Sequence, residues 1–320
     1  MADDTPDRDT AALLERMPGD LAAFPADADI HERRAMLRLM AEAYGPEPVP
    51  VAHIEPAAAD GPNGPVPLRV YRPATDRKAL PVLLNIHGGG WALGDPVAYE
   101  RVCRAYCNAG ECIVVDVDYR RAPEHKHPTA LLDCQAALAW AAAHAAELGG
   151  DPRRIVVTGD SAGGNLAAAL CQITNVPVAL QILVYPVVDA SPAADYPSRP
   201  RFGDGRFFLG YEVIKRAERE YLANPQDGED TRVSPILADD ATLKRLPPTL
   251  VVVAGLDPLL DEGVAYARRL KQAGVDTTLH TAEGTIHAFV LFAGAIEKGR
   301  STIGLIGEWI KTRTIVPDCR

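Results

Sequence analysis

The 320-residue sequence contains no stretch approaching the roughly 18 consecutive apolar residues that a membrane-spanning helix requires. It also lacks the basic-then-apolar start of a secretory signal. "MADDTPDRDT" is polar and acidic, which leads to the expectation of a cytoplasmic protein. Cationic excess is absent too: the formal net charge is −10, which argues against nucleic acid and anionic membranes as partners, because both select a positive footprint. None of the six cysteines is spaced C-x-x-C, and Cys103 and Cys107 sit one helical turn apart in an apolar segment. All six are expected to be buried, reduced thiols rather than zinc ligands or disulfides. Aromatic residues are few, with six phenylalanines and three tryptophans, which weighs against a broad aromatic-lined cleft.

What the sequence does hold, from residue 51 onward, is an alternation of strand-like and helix-like runs. The strand-like ones are "VAHIEPA", "VPLRVYRP", "LPVLLNIH", "CIVVDVDYR", "RIVVTGD", "LQILVYPVVD", "TLVVVAGLD" and "TTLHTAE". Central runs that are apolar almost throughout, separated by alanine-rich helical segments, predict an α/β fold whose mostly parallel sheet is covered on both faces. The segment from Pro128 is predicted helical and closed by Gly149 and Gly150. Two stretches break the rhythm. "DIHERRAMLRLMAEAYG" is an amphipathic helix ending before Pro46, and residues 190–240 form a long insertion with a helix of its own. Together they predict a helical cap made of residues 1–50 and 190–240, over an α/β core of residues 51–189 and 241–320.

Two glycine clusters carry chemistry. In "RIVVTGDSAGGNLAAAL", Gly159-Asp160-Ser161-Ala162-Gly163 fits G-x-S-x-G between an apolar run and an alanine-rich helix. A serine there sits on a sharp turn that tolerates only small neighbours, with a helix N-terminus aimed at any negative oxygen formed beside it. Upstream, "NIHGGGWALGD" places three glycines after a histidine at the end of an apolar run. Bare backbone is entropically expensive, and unobstructed amides are what an oxyanion needs. Gly88, Gly89 and Ala162 are therefore the predicted oxyanion donors, Gly90 serves the turn, and His87 is a structural residue that holds the loop. A hydroxyl nucleophile requires a base oriented by an acid. Downstream of Ser161, His280 lies inside a strand-like alternation, whereas His287 follows the predicted turn "EGT", which favours His287. Asp257 ends an apolar run and is followed by Pro258, which favours it as the acid; Asp189 and Asp261 remain alternatives. Trp91 and the insertion's Phe207, Phe208 and Tyr211 are the expected substrate contacts. The H-x-H at His125 and His127 lacks a third ligand, so no metal is expected.

"HGGGW", "DYRRAPEHKHP", "GDSAGGN", "DPLLDEG" and "IHAF" together resemble, in order and approximate spacing, the hormone-sensitive-lipase family of α/β-hydrolases, over residues 66 to 310. The resemblance implies an eight-stranded sheet with a helical cap, no cofactor, and hydrolysis of a small-molecule ester with a short- to medium-chain acyl group. By position, Ser161, Asp257 and His287 match the family's triad, and Gly88, Gly89 and Ala162 its oxyanion donors. Relatives often pair, so a homodimer is one expected assembly, although no stretch of sequence fixes an interface. An amidase or a long-chain lipase on the same triad is the alternative activity. A non-catalytic receptor of this fold, like the plant gibberellin receptors, is disfavoured because that branch lacks the histidine found here. Two departures, Arg121 in place of the usual leucine and His127 in place of an apolar residue, predict a more polar wall. Arg199, Arg201 and Arg206 read as a solvated cationic face.

Overall fold

Among the described residues eight strands, β1 (His53–Gly61), β2 (Gly64–Arg72), β3 (Leu80–Ile86), β4 (Ile113–Val117), β5 (Gly150–Asp160), β6 (Leu180–Val184), β7 (Thr249–Leu256) and β8 (Thr277–Ile286), match the eight strand-like runs in number and place. The structure is a computed structural model that describes residues 4–20 and 27–314. The strands form one sheet in the order β1-β2-β4-β3-β5-β6-β7-β8. Only the β1–β2 hairpin and the β2–β4 pair are antiparallel; from β4 to β8 every neighbour is parallel. The fold expected from the sequence is the one observed.

Alternate side chains of the central strands enter opposite cores. Val82, Leu84 and Ile86 of β3 join one cluster and Leu83 the other, which is why these runs are apolar throughout rather than alternating. One face is covered by α3 (Glu100–Gly110) and α10 (Glu297–Arg313), the other by α4 (Thr129–His144), α5 (Ala162–Ile173) and α9 (Leu260–Gln272). The alanine-rich α4 ends at His144 rather than at the two glycines, because Gly150 already pairs with Leu80 in the sheet. Outside the sheet stand α1 (Arg8–Asp20), α2 (Ile30–Tyr44), α6 (Ser198–Phe202), α7 (Tyr211–Tyr221) and the single turn α8 (Asp240–Leu243). The predicted amphipathic helix is α2, started by a capping box between Asp29 and Glu32. Among the described residues no helix is long and apolar enough to cross a membrane. Five cysteines, 103, 107, 112, 134 and 171, are buried and unpaired, as expected; Cys319 lies outside the described residues.

Parallel strands bring their C-terminal ends to one rim, so the residues just after β3, β5, β6, β7 and β8 are neighbours in space. A buried charge lies inside this sheet. Asp116 of β4 is inaccessible to solvent and accepts a hydrogen bond from Asn85 Nδ2 at 2.8 Å, with the Cys103 thiol beside it. Burial pushes its carboxyl up to about 7. The native fold therefore holds this proton more tightly than the unfolded chain does. Stability falls as pH rises from about 4 towards 7, and the deficit is fully present above that window. Asp116→Asn keeps an acceptor for Asn85 and removes the charge. It is expected to stabilise the protein at pH 8 by on the order of 1–3 kcal/mol, with the gain shrinking towards pH 4. Urea unfolding of both proteins at the two pH values checks it; a gain that is independent of pH would rule out the buried charge as its source.

Candidate active site

Ser161 sits at the joint between β5 and α5 with φ +54° and ψ −120°, a backbone conformation costing about 1–3 kcal/mol for a residue with a side chain. Its surroundings impose this conformation. The Ser161 amide donates to Val184 O at 2.9 Å, and its carbonyl accepts from Asn165 at 3.0 Å and Val187 at 3.2 Å. The turn is possible only because the positions two residues to either side are glycine: a Cβ on Gly159 would lie 2.2 Å from Gly163 O, and one on Gly163 would lie 2.0 Å from Ile86 O. The hydroxyl is thereby raised clear of the sheet.

Ser161 Oγ lies 2.8 Å from His287 Nε2, and His287 Nδ1 lies 2.7 Å from Asp257 Oδ2. Asp257 is fully buried and accepts the Leu259 amide on its second oxygen at 2.9 Å. A carboxylate only accepts, so the arrangement selects the tautomer with its proton on Nδ1, leaving the Nε2 lone pair for the serine hydroxyl. Tyr185 packs its ring 4.8 Å from the imidazole. The predicted turn "EGT" is instead part of β8: Gly284, at φ +72°, lies where the β7–β8 register slips, and the strand continues to Ile286. His280 pairs with Val252 inside the sheet. Asp189 accepts from Tyr196 Oη and Asp261 from the Ser198 amide, so both are engaged with the insertion rather than with His287.

The glycine loop requires a correction. The Gly88 N–H donates to Asp160 Oδ1 at 2.9 Å and is unavailable to a ligand. The amides of Gly89, Gly90 and Ala162 have no acceptor among the described residues, and Gly89 and Gly90 line the cavity over Ser161. Gly90, expected to serve the turn, has the free amide that Gly88 lacks. Both Gly89 and Gly90 have positive φ, at +102° and +59°, and a Cβ on Gly89 would meet Gly94 N at 2.5 Å. His87 is buried and stacked on Tyr119 at 4.2 Å, with Nδ1 3.1 Å from Gly88 O; burial lowers its pKa to about 4 and keeps it neutral. It holds the loop, as the sequence suggested.

Ser161 and His287 open into a cavity of about 560 Å³ whose far wall comes from α1, α2 and α7. Of the four expected aromatic contacts, Trp91 and Phe208 line it. Phe207 does not: it is buried against Phe202 at 5.8 Å, because adjacent residues of this loop point opposite ways. Tyr211 does not either; it borders a separate depression beside Arg199 and Asp204. Arg121 and His127, expected to make the wall more polar, do not line the cavity either. Arg121 acts from behind, donating to Gly94 O at 2.9 Å, and His127 bonds Tyr221 Oη at 3.2 Å, whose ring stacks on Trp91 at 4.5 Å. Arg199 is not solvated but buried against Glu262 at 2.7 Å; Arg201 pairs with Asp4, and Arg206 reaches the cavity. Sequence reasoning passed over Met17, Met36 and Met40, which line the cavity. The apolar stripe of α2 was the available signal for the latter two.

The chain resembles known proteins along most of its length. A family model described as alpha/beta hydrolase fold matches residues 83–291. Carboxylic ester hydrolase LipN of Mycobacterium tuberculosis is 40% identical over 277 residues, covering 82% of this chain and 71% of the relative. Carboxylesterase NlhH of the same organism is 37% identical over 91% of each chain. Among solved structures, the hyperthermophilic esterase from Pyrobaculum calidifontis superposes with a TM-score of 0.88 at 35% identity, covering 96% of this chain and 98% of the other.

Proposed function

Since the chain belongs to the hormone-sensitive-lipase branch of the α/β-hydrolase family, we propose that it is a serine carboxylesterase acting on short- to medium-chain acyl esters through an acyl-enzyme. The observation that carries the proposal is the unbroken chain Ser161–His287–Asp257, with contacts of 2.8 and 2.7 Å at the floor of an apolar cavity. Ser161 Oγ attacks the ester carbonyl as His287 Nε2 takes its proton, and Asp257 stabilises the imidazolium and holds its orientation. The carbonyl oxygen, now negative, accepts from the amides of Gly89, Gly90 and Ala162. His287 returns the proton to the departing alcohol, then activates water to release the acid. Residues 1–50 and 190–240 are the proposed cap over a core of 51–189 and 241–320.

A fluorophosphonate probe tests the assignment. One adduct per chain is expected, on the Ser161 peptide, together with turnover of short and medium methyl esters exceeding that of the matching anilides. No adduct, or one on another residue, would sink the triad; labelling without turnover of any ester would favour a receptor.

A further inference from the structure

The sequence has four methionines; Met1 lies outside the described residues, and the other three, Met17, Met36 and Met40, all line the cavity over Ser161 and His287. In a chain this poor in thioethers, composition does not account for their meeting on one wall. Met36 and Met40 stand one turn apart on α2, and Met17 comes from the end of α1. Met17 and Met40 are only 5% exposed, packed on one side into the core with Leu37 while bordering the cavity on the other.

The helix that carries two of them is fixed. Arg33 bonds Glu220 of α7 at 2.6 Å, Arg34 bonds Ala92 O and Ala122 O at 2.8 and 3.0 Å, and Arg38 bonds Asp95 at 2.7 Å. With the helix tethered through three arginine side chains, adaptation to a ligand falls to the side chains that face the cavity. Methionine has three rotatable bonds and a polarisable sulfur that favours aromatic edges, so it moulds itself to shapes that branched aliphatic residues exclude. We propose that Met17, Met36 and Met40 form a conformable thioether wall that receives the larger apolar arm of the ester, bulky or aromatic, and that oxidation of these sulfurs closes the site to that arm. The inference rests on the ester-hydrolase reading above.

The oxidation balances with hydrogen peroxide. The sulfur lone pair attacks one peroxide oxygen, an S–O bond forms as the O–O bond breaks, and the released hydroxide takes the proton carried by the transferred oxygen; the sulfur loses two electrons and the products are the sulfoxide and water. The described cysteines do not compete. They are buried, and burial pushes the thiols of Cys107 and Cys171 up to about 12, leaving almost none of the thiolate that peroxide attacks.

The experiment uses the whole protein with two neutral ester series, methyl esters of acids from acetic to octanoic and phenylacetic, and acetates of alcohols from methanol to octanol and benzyl alcohol. The series in which kcat/KM climbs with size identifies whether the wall receives the acyl or the alcohol arm. Limited hydrogen peroxide is expected to add one oxygen to each of the three methionine peptides. It should lower kcat/KM for the largest members of that series about tenfold, the equivalent of roughly two buried methylenes, and for methyl acetate by less than about twofold. Methionine sulfoxide reductases of both epimer specificities should restore the preference. The triple variant Met17→Leu, Met36→Leu, Met40→Leu should show the same size preference before and after peroxide; should it fail to fold, Met36→Leu alone should lose part of the sensitivity. Equal loss across a series, loss persisting in the leucine variants, or no oxygen on the three sulfurs overturns the wall. If no ester is turned over before oxidation, it is the ester-hydrolase reading that fails.

Discussion

Ser161→Ala is expected to lower kcat for a short p-nitrophenyl ester by at least about 10⁴-fold while leaving the melting temperature within a few degrees of the parent. The rate loss follows from the geometry. Among the described residues the only hydrogen bond of Oγ is with His287 Nε2 at 2.8 Å, so alanine removes the proposed nucleophile and nothing else that holds the site together. The strained backbone is set by main-chain bonds to Val184, Asn165 and Val187, which alanine retains, and the imidazole keeps its 2.7 Å bond to Asp257. The orphaned Nε2 faces the cavity, where water can reach it, so no buried group is left unsatisfied. Residual catalysis above the uncatalysed rate should persist, because the three free amides and the cavity remain. Steady-state kinetics paired with a thermal melt distinguish the outcomes. Parent-like turnover in a folded variant would remove Ser161 from the chemistry, whereas an unfolded variant would mean the hydroxyl is structural.

How much of this was legible in the sequence depends on the distance over which each feature is decided. The strands were, because a sheet covered on both faces writes its burial directly into short apolar runs such as "LPVLLNI". The residues of the serine–histidine–aspartate chain were readable for a related reason: each sits just after a strand that ends on the rim, marked by flanking glycines at Ser161 or by a following proline at Asp257. Helix α1 was not readable. It carries Pro18, and its entry is fastened by a bond from the Asp7 amide to Gly284 O, a partner far along the chain. Tertiary partners also decided which glycine amides are free. Nothing in "HGGG" says that Gly88 will donate to Asp160, 72 positions away, and so leave Gly90 rather than Gly88 with a free amide. Arg199 misled for the same reason: without Glu262, 63 positions on, an arginine among prolines and other arginines reads as surface. Phe207 and Phe208 are distinguished only by the direction of one loop, with Phe208 at φ +75°, which no periodicity encodes.

Asp160 ties the two glycine clusters together, and its removal should have the second-largest effect. Its Oδ1 accepts the Gly88 amide and its Oδ2 the Tyr99 hydroxyl, both at 2.9 Å and both buried. Asp160→Ala leaves two buried donors without an acceptor, which is expected to cost about 1–3 kcal/mol for each. With Gly88 released, Gly89 and Gly90 lose their register against Ser161, and kcat is expected to fall about 10²- to 10³-fold with little change in KM, as when an oxyanion donor is lost. Asp160→Asn supplies a carbonyl oxygen for the Gly88 amide, and Tyr99 can rotate its hydroxyl to accept from the new amide, so most of the rate should return. The same pair of variants separates position from charge. Burial raises the Asp160 carboxyl to about 6, so the folded protein binds this proton more tightly than the unfolded chain between about pH 4 and 6. Its contribution to stability therefore declines as pH rises through that window, and the asparagine variant should lack that component of the decline. An alanine variant with undiminished kcat would show that the glycine loop keeps its catalytic shape without Asp160. A rate in the asparagine variant as low as in the alanine one would shift the role from the hydrogen bond to the charge itself.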